Sequence, residues 1–210
     1  MNLMVASLLG LSFGVKHALE ADHLAAVCTF VSQGGSVLRA AKTGALWGAG
    51  HALVIVLAGG ALVATGASVP APLETALDLA VAVMLIGLGV AAFLTRRPQG
   101  EAAPVAPEGE PRVRRPIAVG LVHGASGTAA MTLLVATKFP GRPEGLAFVA
   151  SSGIASLVAM AGVAGLVAWS LGSVVRRGPD HVRVLQGVAG AASIAAGLMV
   201  AWSTLGPGDS

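Results

Sequence analysis

Cysteine and charge are what this chain has least of. Its 210 residues include one cysteine, Cys28, which excludes a disulfide framework or a CxxC redox pair within the chain. Only 11% of residues are charged against 55% hydrophobic, and the mean hydropathy is +0.81. A soluble domain of this length needs more polar surface to cover itself, so the composition points to an all-α polytopic membrane protein. The short alternating segments of a β-barrel are missing too: the apolar runs are continuous and about 20 residues long. The N-terminus shows no basic n-region and no small-residue cleavage site after a short apolar run, so no cleaved signal is expected. Neither a P-loop for ATP nor an HExxH zinc-protease motif is present.

What is there reads as six apolar runs, over 3–31, 44–65, 73–94, 117–137, 146–173 and 184–203. TRRPQGEAAPVAPEGEPRVRRP interrupts them in the middle, rich in Pro, Glu, Gly and Arg. The expected division is a first three-helix repeat over 1–94, a disordered cytoplasmic linker over 95–116 and a second three-helix repeat over 117–210. Arg39, Lys42, Arg96, Arg97, Arg112, Arg114, Arg115, Arg176, Arg177 and Arg183 lie in the odd loops, whereas the even loops hold only Lys138 and Arg142. This bias predicts a cell-membrane protein, bacterial inner-membrane in type, with both termini extracytoplasmic. The sequence pI of 9.8 comes from these loops and gives no reason to expect nucleic acid as a partner.

FGVKHALEADHLAAV in the first half resembles VGLVHGASGTAAMTLLV in the second when His17 is set on His123, and LIGLGVAAF resembles IAAGLMVAW. Three spans per repeat is odd, so the second repeat must enter the membrane upside down. Inverted repeats are a transporter architecture, with the site near their interface.

KHALEADH, residues 16–23, falls inside the first apolar run. Charge in hydrocarbon costs on the order of 3 kcal/mol per residue even on the lenient insertion scale, so the stretch needs partners or a purpose. Lys16 and Glu20, spaced i,i+4, are expected to pair. That leaves Asp22 with His17 and His23, a carboxylate and two neutral imidazoles, as a ligand set for a borderline divalent metal such as Ni, Co or Zn. On a straight helix these three side chains point about 140° and 240° apart and cannot meet at one ion. The run would also extend over about 40 Å against a core of about 30 Å, so a break near the motif is expected. Reading the stretch instead as an amphipathic turn at the membrane edge would end the first helix near Val15, too short to span.

His51 in GAGHALVIV and His123 in VGLVHGASG are the other intramembrane histidines. Counted from span starts at Gly44 and Ile117, each lies about 10 Å deep, and His17 reaches about 9 Å from the same face. Gly10/Gly14, Gly44/Gly48 and Gly120/Gly124 stand beside them as small-xxx-small pairs that let backbones approach. The bland alternative for His51 and His123 is a histidine bonded to a neighbouring helix. Ser126 and Thr128 can support a ligating imidazole but more simply bond a backbone carbonyl. Cys28 is expected to pack, and His181 to be a solvated loop residue.

HALEADH, with GHALVI on the second run and HGASGTAAMTLL on the fourth, resembles the nickel/cobalt transporter superfamily through its H-x4-D-H signature, most closely the urease accessory membrane protein-like and permease-like branch. The resemblance implies transport of Ni2+ or Co2+ as substrate, with no tightly bound cofactor and with His17, Asp22, His23 and His51 at positions tied to metal recognition. The later LGFDTATE-like motif of the eight-span permeases is missing. A non-conducting accessory protein that hands metal to a metallochaperone partner, or a homo-oligomer, is compatible with the same residues. An intramembrane serine protease is the remaining alternative: GASG around Ser126 matches a rhomboid-type GxSG, but residues 184–203 contain no histidine to act as base, so the chain is not expected to be an enzyme.

Overall fold

A computed structural model of the chain describes residues 2–32, 36–94, 113–139, 141–175 and 179–206, with the side chains of 127–138 and 173–180 outside the description. The helices are α1 (Leu3–Ala18), α2 (Ala21–Val31), α3 (Val37–Val54), a π-helical turn (Ile55–Gly59) running into α4 (Gly60–Thr65), α5 (Ala71–Leu94), α6 (Arg114–Lys138), α7 (Arg142–Val175) and α8 (Pro179–Leu205). No strand occurs among the described residues. Four helical stretches are long and apolar enough to cross a membrane: Val37–Thr65, Ala71–Leu94, Arg142–Gly172 and His181–Leu205; the pair α1 and α2 makes a fifth if its two halves are one span. The fourth expected run, 117–137, lies on α6, which is 25 residues long, but the side chains of its second half lie outside the description. The chain is an all-helical, multi-pass membrane protein.

The first run breaks where its polar residues fall. α1 and α2 meet at a 56° bend. Leu19 and Glu20 close the last turn of α1 with short bonds, Leu19 N–H to the Lys16 carbonyl at 3.0 Å and Glu20 N–H to the His17 carbonyl at 3.1 Å. Glu20 then turns extended (φ −67°, ψ 155°) and caps α2, which places Asp22 in its first turn, where the unpaired amides and the helix dipole favour a carboxylate.

Helix ends reach beyond the apolar runs. α3, which carries the second run, starts at Val37 rather than 44 because Ser36 accepts a bond from the Arg39 amide, so Arg39 and Lys42 ride on its first turns. Likewise α6 begins at Arg114, inside the expected linker, whose residues 95–112 lie outside the described residues. His181 sits exposed on the first turn of α8, not in a loop. An apolar run marks where the chain meets hydrocarbon; a helix ends where its backbone is capped.

α7 is the central column, with α1 and α3 packed along it, while α6 lies on α3 and α5 lies on α8. Glycine makes these contacts close. A Cβ at Gly14 would strike the Ser152 carbonyl and one at Gly120 the Trp47 carbonyl; Gly44 lies on Met160 and Gly124 on the His51 backbone. The contacts come in matched pairs: Gly14 meets Ser152 while Gly120 meets Trp47, and Gly48 meets Leu157 while Gly153 meets Ala52. On the other side of the bundle, Gly89 meets Gly190 and Ile194, and Gly197 meets Ala82 and Ile86. Large apolar side chains such as Leu3, Leu8, Val83, Val158 and Trp202 face outward, as hydrocarbon-facing residues do.

Candidate metal centre

Four helices bring four imidazoles together. His17 ends α1, His23 opens α2, His51 sits in the last turn of α3 one turn before the π-helical segment, and His123 lies mid-way along α6. His23, His51 and His123 are buried, and His17 is 12% exposed. The His23 ring centroid is 4.0 Å from that of His123, 4.5 Å from His17 and 5.2 Å from His51; His17 and His51 stack at 5.3 Å. Two groups of donor atoms lie within 4.8 Å of one another: His17, His23 and His51, and Asp22, His23 and His123. They share His23.

Carboxylates hold the outer edges of these rings. Asp22 Oδ2 lies 2.8 Å from His123 Nε2, and Asp22 Oδ1 lies 3.0 Å from His23 Nδ1 while also accepting the His23 amide at 2.9 Å. Glu20 Oε2 lies 2.8 Å from His17 Nδ1. An ionised carboxylate only accepts, so each ring nitrogen facing one carries the proton and donates, and the other ring nitrogen keeps its lone pair.

The inner nitrogens have no such partner. His17 Nε2, His23 Nε2, His123 Nδ1 and both nitrogens of His51 are buried without a hydrogen bond among the described residues. A buried polar atom left unpaired costs about 1–3 kcal/mol, so five in one place amount to much of a domain's net stability of about 5–15 kcal/mol. A neutral His51 carries a proton on one of its two nitrogens, so the group offers four lone pairs, and Trp47 Nε1–H beside them is buried without a partner among the described residues. Convergent lone pairs are an arrangement for a cation, and imidazole nitrogen suits Ni, Co, Zn or Cu over Mg or Ca.

Several residues take other positions than the sequence suggests. Lys16 and Glu20 form no ion pair: the break at Leu19 removes the i,i+4 register, Lys16 points outward, and Glu20 turns to His17. Ser126 does not bond a backbone carbonyl; its hydroxyl donates to Asp78 Oδ1 on α5. Thr128 lies outside the described side chains, and Cys28 is half-buried on α2. Ser126 has no imidazole bonded to it among the described residues.

Two residues escape sequence reading. Asp78 is an intramembrane acid hidden in the apolar run ALDLAVAV, and only its sequence depth inside α5 flags it. Trp47, fully buried, stacks on His23 at 5.6 Å and lies 5.8 Å from His123. Its signal is the i,i+4 spacing to His51 in WGAGH, which puts both side chains on one helix face.

Fold and site together define a polytopic helical membrane protein with a buried imidazole cluster between a broken first helix and its neighbours. The chain is 28% identical over 170 residues, covering 76% of this chain and 74% of the relative, to the urease accessory protein UreH of Bacillus sp. (strain TB-90). No family model matches the chain. No solved structure matches it.

Proposed function

We propose that this chain is a nickel-handling accessory membrane protein, which takes Ni2+, or Co2+ in second place, onto the group formed by His17, Asp22, His23, His51 and His123 and supplies it to a nickel-dependent partner. The carrying observation is the convergence of five unpartnered ring nitrogens within the membrane-spanning helices. The similarity to a protein named for urease assembly supports nickel as the ion and an accessory, non-catalytic role. A metallochaperone or a second copy of this chain is the partner such a role requires.

A second reading, permeation of the ion, is favoured by the break in the first span at the site itself, since discontinuous helices are how transporters expose polar groups at mid-membrane. In that reading α6 is the fourth of six spans, the halves 1–94 and 117–210 are inverted repeats, and both termini lie outside. The matched glycine contacts support the repeat, because exchanging the halves turns the α1–α7 contact into the α6–α3 contact. A divalent ion moving inward gains about 4.6 kcal/mol per 100 mV of inside-negative potential, so uptake needs no ATP site.

Radioactive nickel measured in proteoliposomes under an imposed inside-negative potential, beside nickel binding in detergent, tests both. Binding without flux is expected for the accessory role; potential-driven flux that His51→Ala abolishes establishes the permease. Nickel binding equal in wild type and His51→Ala overturns the site.

A further inference from the structure

Asp22 and Glu20 stand within reach of the cluster, and a ligand list by residue type counts Asp22 among the metal ligands. The hydrogen bonds distribute the work differently. Both oxygens of Asp22 are already engaged: Oδ1 by the His23 amide at 2.9 Å and His23 Nδ1 at 3.0 Å, Oδ2 by His123 Nε2 at 2.8 Å. Glu20 Oε2 is engaged by His17 Nδ1 at 2.8 Å. On each of these three rings, the nitrogen left without a partner is the one that does not face a carboxylate.

We infer, building on the proposed metal site, that the ion is held by imidazole nitrogen alone, through His17 Nε2, His23 Nε2, His123 Nδ1 and one nitrogen of His51. Asp22 and Glu20 are positioning residues that stay off the ion and fix the rings. A carboxylate behind an imidazole sets its tautomer, locks its orientation and makes its free nitrogen a better donor. Oδ2 keeps a lone pair beside its one bond, but drawing it onto an ion weakens its hold on His123, and drawing Oδ1 onto the ion weakens its hold on His23. The two carboxylates still offset the ion's two positive charges, each from one ring away, where hydrocarbon gives no other screening.

His51 is the exception that completes the set. Neither of its nitrogens has a partner among the described residues, so no hydrogen bond there fixes its tautomer and either nitrogen can turn to the ion. Trp47, stacked on His23, walls the group with its ring face; its Nε1–H is a donor, buried without a partner among the described residues, and cannot ligate an ion.

An all-imidazole site makes a selectivity statement: borderline ions such as Ni2+, Co2+ and Zn2+ bind, and the harder Mn2+ and Mg2+ do not compete. A site with Asp22 in it would keep measurable Mn2+ affinity.

The deciding experiment is nickel X-ray absorption on the full chain in detergent, with nickel affinity measured on wild type, Glu20→Gln, Glu20→Leu, Asp22→Asn and His51→Ala. Expected is a wild-type spectrum with imidazole scattering and no carboxylate oxygen. Asp22→Asn and Glu20→Leu should bind nickel about 10–100-fold more weakly with the same number of imidazoles, the range for lost outer-shell partners. Glu20→Gln, which keeps an acceptor oxygen for His17, should recover most of the Glu20→Leu loss. A carboxylate oxygen in the wild-type spectrum that disappears in Asp22→Asn overturns the inference alone. Nickel bound equally by wild type and His51→Ala overturns the metal reading and the inference with it. The wild-type spectrum decides the carboxylate question even if a variant fails to fold.

Discussion

Asp22 and His123 are 101 residues apart in the chain and 2.8 Å apart in space, a carboxylate at the start of α2 receiving a ring nitrogen from the middle of α6. The same carboxylate receives His23 from its own helix. One side chain therefore ties the broken first span to the fourth long apolar run, and the proposed metal centre forms only where that tie is made.

His51→Ala removes a ring that has no other partner, so it should lose nickel affinity by more than about 100-fold, beyond the loss expected for an outer-shell residue. His181→Ala, on the exposed first turn of α8, should change nothing measurable. Calorimetric titration of the two variants checks the placement, and a large loss at His181 would move the site elsewhere.

Acid should weaken nickel binding. Each ligating nitrogen must be free of a proton, so in acid the ion has to displace protons and apparent affinity falls. Where those nitrogens carry protons, binding releases them, and calorimetry in acidic buffers of different ionisation enthalpy should report release, not uptake.

Gly124→Ala places a methyl against the His51 backbone, where α6 and α3 touch. Overpacking of this kind costs about 1–3 kcal/mol and should also drive His123 away from His51. Thermal unfolding in detergent should show the loss, and nickel affinity should fall with it. Gly162→Ala, with no atom within 4 Å of an added Cβ, is the control.

Ser126→Ala takes the donor from Asp78 and leaves an intramembrane acid without that hydroxyl. Stability should fall by about 1–3 kcal/mol while the nickel spectrum stays unchanged, because neither residue holds a ring of the cluster. A changed nickel coordination shell in this variant would extend the centre to α5.

Nickel itself should stabilise the folded chain. An ion that binds only the folded state adds about 2.7 kcal/mol at a concentration one hundred times its Kd, and the rise in Tm should vanish in His51→Ala.

Composition and periodicity alone determined the class of this protein. An apolar fraction of 55% with continuous runs points to helices in a bilayer, because hydrocarbon admits only helices and closed barrels and the strands of a barrel alternate. The break in the first run was legible for the same reason: polar residues at 16–23 and a run too long for the membrane cannot both be met by a straight helix. So were the glycine pairs, since close backbone approach needs a residue without a Cβ.

Partner choice belonged to the tertiary structure. Spacing suggests Lys16 with Glu20, but that rule holds only on an unbroken helix, and the break hands Glu20 to His17. It offers no hint that Ser126 meets Asp78, or that Trp47 walls the histidines, because contacts between distant segments depend on which faces the helices turn to one another. Sequence places candidate ligands at one depth in the membrane; only the packing of α6 on α3, closed up by Gly120 and Gly124, brings His123 to Asp22 and turns separate histidines into one site.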